Sequence, residues 1–569
     1  MSHQYTKKRA HDAKRFAHWH QQTDDYFARH KLTRAQVMEA QAGLQGWIVL
    51  PGDPAYDKDR VIFNPLFNDI AYPSVIVYCV VESDVAIALQ MAQDKSFMVR
   101  SGGHCTAGFS TGSGVLIDVS NLKSISVDPD GMTATVGCGT PFGSLNQALA
   151  PYNLNVPGGE CDDVCIGGYM QGGGYGFTSV TWGMNCDNVL SMRVMLADGG
   201  IVVATPSQNW DLWWAMRGGT GGTFGVLLSV TYQLYALGGD VFGWAIIFPM
   251  QTDTDFQNAT NAMLCLQSNY MRFAPSPLLN IQVSLCYQPS MYPGVTTGPV
   301  KPGPGLPPSN MQPYLMLRGL YVGDQTNGQA AIQQLCNLPG AVTQWTKMDS
   351  FINLNQDLLN QPYGMPCFPP GTPMPFEDKA SRYVAQDLSA DFWMGLLRYY
   401  VTTPNQYAYF YMEFYGGAIN AYPTENSAFI HRNTAFNSVM DVFWSSPEEQ
   451  GPAQAFLDGW IDMMEPWYDG HAYQNYPRLN DPNFAYKYWG DAQAGLYAVK
   501  CKYDPSLRFE FAQCVGPIMP PGHGIGPVII FPPAFQAALN QPIVYAAPPD
   551  AVRKSVKRHH HSHHAHHKH

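Results

Sequence analysis

Residues 100–110 read RSGGHCTAGFS and residues 158–176 read GGECDDVCIGGYMQGGGYG, so His104, Cys161 and Cys165 sit in glycine-dense chain at two distant places. Imidazole and thiolate add to electron-poor centres or bind metals. Glycine at this density is poor helix and strand material and suits backbone that turns sharply or lies against something flat or charged. RSGGH follows the apolar end of FMVR (97–100), which places its glycines on a loop just after a strand, where successive amides form a nest for a pyrophosphate. A dinucleotide fingerprint would open a helix inside a βαβ unit, but GGGYGF (172–177) follows another glycine pair and precedes TSVTWG, which does not read as a helix start. A third patch, MRGGTGGTFGVL (216–227), runs into a strand, and no GxxxxGK[ST] is present. Three such loops point to a long extended ligand wrapped by backbone rather than to nucleotide hydrolysis.

Metal and nucleic acid fit less well. Cys161 and Cys165 make a C-x3-C pair with no matching Cys/His pair, so structural zinc is rejected. The twelve cysteines are scattered through a chain of 569 residues, too long to need a disulfide framework, and are expected mostly as reduced, buried thiols. A net charge of -11 argues against nucleic acid, which demands a basic face. Aromatic residues, at 13%, favour a flat or sugar-like ligand. Eight of the seventeen histidines crowd into residues 559–569, where an interrupted polyhistidine run has no fixed ligand geometry. No metal site is expected.

The elements that must position these loops follow from periodicity. Residues 1–43 form a polar, helical or loose extension without the apolar stretch of a secretory signal, which points to the cytoplasm, with secretion by another route left open. No run of about twenty apolar residues follows, so no membrane span is expected. From LQGWIVLPGDPAYD (44–57) to 240, short runs such as SVIVYCVV (74–81) and GVLIDVS (114–120) alternate with helical stretches such as ESDVAIALQMAQDKS (82–96), an α+β pattern. Aromatic strands such as QYAYFYMEFYGGA (406–418) and the Pro/Gly loop 297–310 mark a second domain over 241–469. Residues 516–569 read as an extended Pro/His-rich tail.

Several motifs together carry a resemblance. RSGGH, GVLIDVSNL (114–122), TVGCGTPFGSL (135–145), the 159–176 segment, WGMNCD (182–187), ADGG (197–200) and NWDLWWAMRGGTGGTFGV (209–226) resemble, in that order, the FAD-binding domain of the vanillyl-alcohol oxidase superfamily. The stretch YQNYPRLNDPNFAYKYWG…LYAVKCKYDP (473–505) is similar to the closing module of its berberine-bridge-enzyme-like group. The resemblance implies an FAD-binding domain of two subdomains over 44–240, completed by a module at 470–515, and a substrate domain with an antiparallel sheet and flanking helices. It implies FAD bonded through its 8α-methyl group to His104 and through C6 to Cys161, the cysteine eleven residues before Gly172. Arg100, Ser101, Gly102, Gly103, Val164, Gly167, Gly168, Gly172, Gly173, Gly174, Gly176 and Asn475 are the further cofactor-binding candidates.

A flavin oxidation of an alcohol needs a base for the hydroxyl proton. By resemblance to sugar oxidases of the group that base is Tyr473 or Tyr476, assisted by Glu413 of EFYGG (413–417), where relatives have Asp. A tyrosine, with a pKa near about 10, needs help from its surroundings to serve. Val164 stands where oxygen-reactive members have valine, which implies dioxygen as acceptor and hydrogen peroxide as product. The sequence departs from the pattern at Cys165, usually glycine and a source of crowding, at Thr106, usually tyrosine, and at Ala492 and Gly495, usually Asn and Arg. The expected activity is oxidation of an alcohol carbon, foremost the anomeric carbon of an aldose or oligosaccharide to a lactone. The alternative is tailoring of a glycosylated or polyketide-like natural product. A flavin-storage protein would lack the tyrosines of the 473–476 loop.

Overall fold

Short β-branched runs build the first layer. A computed structural model describes residues 18–272, 276–289, 311–359, 374–517, 531 and 533–546. Strands β2 (Val75–Tyr78) and β3 (Phe97–Arg100) flank β4 (Val115–Asp118) in parallel, and β1 (Trp47–Val49) pairs antiparallel with β2. Parallel pairing requires a crossover, which helix α1 (Glu82–Met91) supplies while burying Val85, Ala88 and Leu89. β4, covered on both faces, is buried along its whole length.

A second sheet is antiparallel throughout. Its members β5 (Ile125–Asp128), β6 (Thr133–Gly137), β8 (Val189–Met195), β9 (Ile201–Ala204) and β10 (Val226–Gln233) lie in the order β5-β6-β10-β8-β9. A short ribbon joins β7 (Leu154–Asn155) to β11 (Tyr235–Ala236). The two sheets share one apolar core, in which Val75, Val115, Val136, Val194 and Val230 are all inaccessible to solvent.

The third sheet has seven antiparallel strands and its own core. β12 (Val241–Pro249), β13 (Leu279–Pro289), β14 (Met311–Tyr321), β15 (Val342–Asp349), β16 (Phe376–Val384), β17 (Tyr409–Phe414) and β18 (Phe436–Trp444) run in the order β15-β12-β14-β13-β17-β18-β16. Alternation assigns the faces. Phe410, Met412 and Phe414 of β17 pack with Leu266, Trp393 and Trp460 of helices α3 (Asp253–Asn269), α4 (Ala390–Tyr400) and α5 (Pro447–Met464). Tyr409, Tyr411 and Glu413 are left for the opposite face.

Four local readings differ from the sequence expectations. Packing begins before residue 44: Trp19, Phe27, Leu32 and Val37 are buried in the first core, and Trp19 Nε1 donates to Asp53. The glycine segment contains helix α2 (Ile166–Gln171), because a Cβ at Gly167 would stand 2.9 Å from both the Cys138 carbonyl and Ser101 Oγ, and this close approach offsets the helix cost of glycine. TSVTWG does open a helix, a single turn over Ser179–Trp182 that Gly183 ends at φ +88. The tail is not extended over Pro533–Leu539: this segment is helix α7, and Phe535 and Phe531 pack edge-on against Trp214. Loop 297–310 and the histidine-dense end lie outside the described residues.

Candidate active site

A cavity of about 400 Å³ lies between the loops of the first two sheets and the face of the third that carries Tyr409, Tyr411 and Glu413. Ser101, Gly102, Gly103, His104, Cys161, Val164 and Gly168 line it from the glycine loops. Glu413 faces it from β17, and Tyr473, Asn475 and Tyr476 from the loop after residue 470. Segments far apart in sequence therefore meet at one place.

His104 is held on two sides. Its ring stacks on Phe63 at 4.6 Å and 28°, and Nε2 lies 3.3 Å from Asp163 Oδ2. That hydrogen bond holds the Asp163 carboxyl below its usual range, more strongly than partial burial raises it. Cys161 is a free thiol that burial, with Glu160 and Asp163 adding, pushes up to about 12. Cys165 turns away from the cavity centre: its Sγ–H points to the Gly139 carbonyl at 3.3 Å, and its sulfur packs against Gly102.

Six candidates do not line the cavity. Arg100 is corrected from a ligand-facing to an internal role: its guanidinium donates to Asp118 Oδ2 at 2.6 Å and to the Asp59 carbonyl at 2.7 Å, because a buried cation on β3 needs a carboxylate neighbour. Gly167, Gly172, Gly173, Gly174 and Gly176 act one layer back, as close-approach points. Gly173 (φ +128) and Gly174 (φ +86) occupy left-handed backbone, and side chains there would strike Phe429 and Tyr169. Gly168, by contrast, has no heavy atom within 4 Å of where a Cβ would stand, so its backbone opens onto the cavity.

The tertiary structure separates the two tyrosines. Tyr473 Oη accepts from the Gly174 amide at 2.7 Å and from Asn475 Nδ2 at 3.0 Å, and thereby pins the glycine turn. Tyr476 Oη donates to Glu413 Oε1 at 2.6 Å, and Asn437 Nδ2 donates to Oε2 at 3.0 Å. Burial raises the Glu413 carboxyl to about 7 against the lowering effect of these two donors. Burial, with Glu413, likewise pushes the Tyr476 hydroxyl far up.

Sequence reading missed the rest of the sheet wall. Lys379 of β16 contacts Glu377 Oε1 and Asp441 Oδ2, both at 2.8 Å, and its Nζ lies 5.3 Å from the centre of the Tyr476 ring. Burial works against the Lys379 ammonium, but Asp441 and Glu377 outweigh it and keep it charged. Further along, Arg318 donates to Gln282 Oε1 and Tyr409 Oη, each at 3.0 Å, and faces Glu160 at 3.7 Å. Polar residues at every second position of β16 (Glu377, Lys379, Ser381) and of β13 (Asn280, Gln282, Ser284) were the available signal, since a strand apolar on both faces has no reason to alternate.

Comparisons with known proteins agree with this layout. Residues 73–205 match the family model described as FAD binding domain, and residues 472–516 the one described as berberine and berberine like. An uncharacterized FAD-linked oxidoreductase of Bacillus subtilis, YvdP, is 28% identical over 485 residues, covering 83% of this chain and 98% of that protein. A carbohydrate oxidase of Microdochium nivale is 26% identical over 497 residues, 83% of this chain and 93% of the relative. The fold matches that of xylooligosaccharide oxidase from Myceliophthora thermophila C1 in complex with xylobiose, with a TM-score of 0.70, 22% identity, and coverage of 85% of this chain and 100% of that one.

The residues present fit FAD. Open backbone at Gly168, the Ser101–Gly103 loop after β3, and an imidazole and a thiol converge on one cavity. The chain carries an FAD-binding domain over residues 73–205 and a berberine-like module over 472–516, and along most of its length it is similar to FAD-linked oxidoreductases.

Proposed function

We propose that this protein is an FAD-dependent oxidase that removes a hydride from an alcohol carbon, foremost the anomeric carbon of an aldose or oligosaccharide, and yields a lactone and hydrogen peroxide. Residues 44–240 and 470–515 would form the FAD-binding unit and 241–469 the substrate unit. His104 and Cys161 would hold the flavin at its 8α and C6 positions. Bound FAD supplies the hydride acceptor.

The observation that carries the reading is the 2.6 Å bond from Tyr476 Oη to Glu413 Oε1 on a wall of the cavity that His104 and Cys161 also line. Tyr476 takes the substrate hydroxyl proton as its own proton passes to Glu413, so the two titrate as one unit. Glu413, raised to about 7, is matched to that exchange near neutral pH. The Lys379 charge beside the ring favours the phenolate. Tyr473, occupied with the glycine turn, positions the loop. Val164, small and cavity-lining, leaves space for dioxygen. The named activities of the Microdochium nivale and Myceliophthora thermophila proteins support a sugar as substrate.

Intact mass after acid denaturation tests the flavin, and a peroxide-coupled panel of aldoses and oligosaccharides tests the substrate. The wild-type chain should retain one FAD, roughly 0.8 kDa, and only the His104→Ala/Cys161→Ala double variant should release it fully. A wild-type chain that loses its flavin in acid removes the covalent reading, and a panel without peroxide removes the sugar.

A further inference from the structure

We infer that Asp163 positions His104 for attachment to the flavin, by holding the imidazole with its proton on Nε2 and its lone pair on Nδ1. The inference rests on the covalent reading above and names the residue that prepares the nucleophile.

Asp163 Oδ2 is 3.3 Å from His104 Nε2, and among the described residues no hydrogen-bond partner reaches Nδ1. An ionised carboxylate only accepts, so the hydrogen of this bond belongs to Nε2, and in the neutral ring the other nitrogen is then the nucleophile. The Asp163 carboxyl is held below its usual range by this bond, which keeps it ionised at neutral pH. Phe63 closes one face of the ring at 4.6 Å, which fixes the plane in which Nδ1 points. The carboxylate is largely exposed, but the backbone on either side of Asp163 is anchored: Phe142 N–H donates to the Val164 carbonyl at 3.0 Å and Gly143 N–H to the Asp162 carbonyl at 2.9 Å. Gly143 is required there, since a Cβ would stand 2.8 Å from Asp162.

In the step, Nδ1 bonds to the 8α carbon while one 8α C–H gives its proton to the medium and its electron pair to the flavin. Dioxygen collects the two electrons with two protons as hydrogen peroxide. The ring, bonded at Nδ1 and still protonated at Nε2, becomes cationic, and the Asp163 carboxylate offsets that charge.

The full chain carrying Cys161→Ala, produced free of flavin, leaves the nitrogen bond as its single covalent link. It is mixed with FAD in air, quenched in acid at intervals and weighed. Adding Asp163→Asn should slow attachment at least about tenfold, as loss of a partner that orients a histidine does. Asp163→Glu should restore it, and non-covalent uptake of FAD, read by quenching of flavin fluorescence, should be the same in all three. Equal attachment rates in Asp163→Asn and its parent overturn the role of Asp163 and leave the covalent reading standing. Parallel loss of non-covalent uptake in Asp163→Asn also overturns it, in favour of a folding role. A Cys161→Ala parent that never gains mass overturns the His104 bond itself, and this inference with it.

Discussion

Tyr473 and Tyr476 sit one helical turn apart in sequence and have opposite hydrogen-bond roles, acceptor for Gly174 and donor to Glu413. Tyr476→Phe should lower the rate of flavin reduction by about 10²–10⁴-fold, the range of a general base, with the chain still folded. Tyr473→Phe should cost about 1 kcal/mol of stability, since a buried Gly174 amide loses its partner, and should change the rate less. Stopped-flow reduction and thermal melts separate the two. In the proposed proton exchange Glu413 has to be ionised to receive the Tyr476 proton, so reduction should accelerate as pH rises through about 7 and this limb should vanish in Glu413→Gln. The same carboxyl has a folded value above its unfolded one. Its contribution to stability is therefore fully present below the unfolded value and is lost as pH rises toward about 7. Glu413→Gln should accordingly gain in melting temperature over wild type at pH 8 relative to pH 4, and no gain would mean that the carboxyl is not held neutral by burial.

Among the elements, two departures from the family pattern find their physical reason. Cys165 packs closely on the glycine loop: a Cβ on Gly102 would lie 3.0 Å from Cys165 Sγ and 3.1 Å from its amide, so the cysteine is accommodated by the glycine opposite. Gly102→Ala should weaken FAD retention, and adding Cys165→Gly should recover part of it, a coupling that a double-mutant cycle on FAD affinity measures. Gly495, which replaces the arginine usual in the pattern the sequence resembles, lies in helix α6 (Gln493–Tyr503), and the rings of Phe531 and Phe535 occupy the space that a side chain would take. The C-terminal segment then runs back to the second sheet, where Ala546 N–H donates to the Ile201 carbonyl and Asn209 bonds Val544. Burial of Phe535 alone is worth about 2 kcal/mol. Ending the chain at residue 530, or Gly495→Arg, should lower the melting temperature by several degrees without touching the cavity. An unchanged melt would show that the segment is not docked.

At the scale of the whole molecule, buried polar links tie the sheets together around the cavity. Asn64 Nδ2 donates both to the Thr106 carbonyl beside His104 and to the Glu377 carbonyl of β16, and Arg432 pairs with Asp187 through two bonds of 2.6 and 2.7 Å. Lys500 donates to the Thr223 and Phe509 carbonyls at 2.8 Å, which fastens the closing module to the third glycine patch. The ligand site thus lies among parts that it would itself bridge. Saturating the flavin-free chain with FAD at about a thousand times its dissociation constant should add about 4 kcal/mol and raise the melt by several degrees. No shift would mean that the cavity is not the FAD site.

Much was legible before any coordinates. Glycine loops following strands, a histidine and a cysteine inside them, and the short apolar and aromatic runs are local properties, set by backbone sterics and neighbouring side chains, and the structure forms strands over Val75–Tyr78, Val115–Asp118, Val189–Met195 and, in the third sheet, Tyr409–Phe414 from them. What the tertiary structure alone decided is which of two equivalent tyrosines meets Glu413, that Arg100 turns inward to Asp118, and that Lys379, Asp441 and Arg318 join the cavity wall. Each depends on strand register between segments far apart in the chain, where a shift of one residue exchanges the two faces, and no local pattern encodes that register.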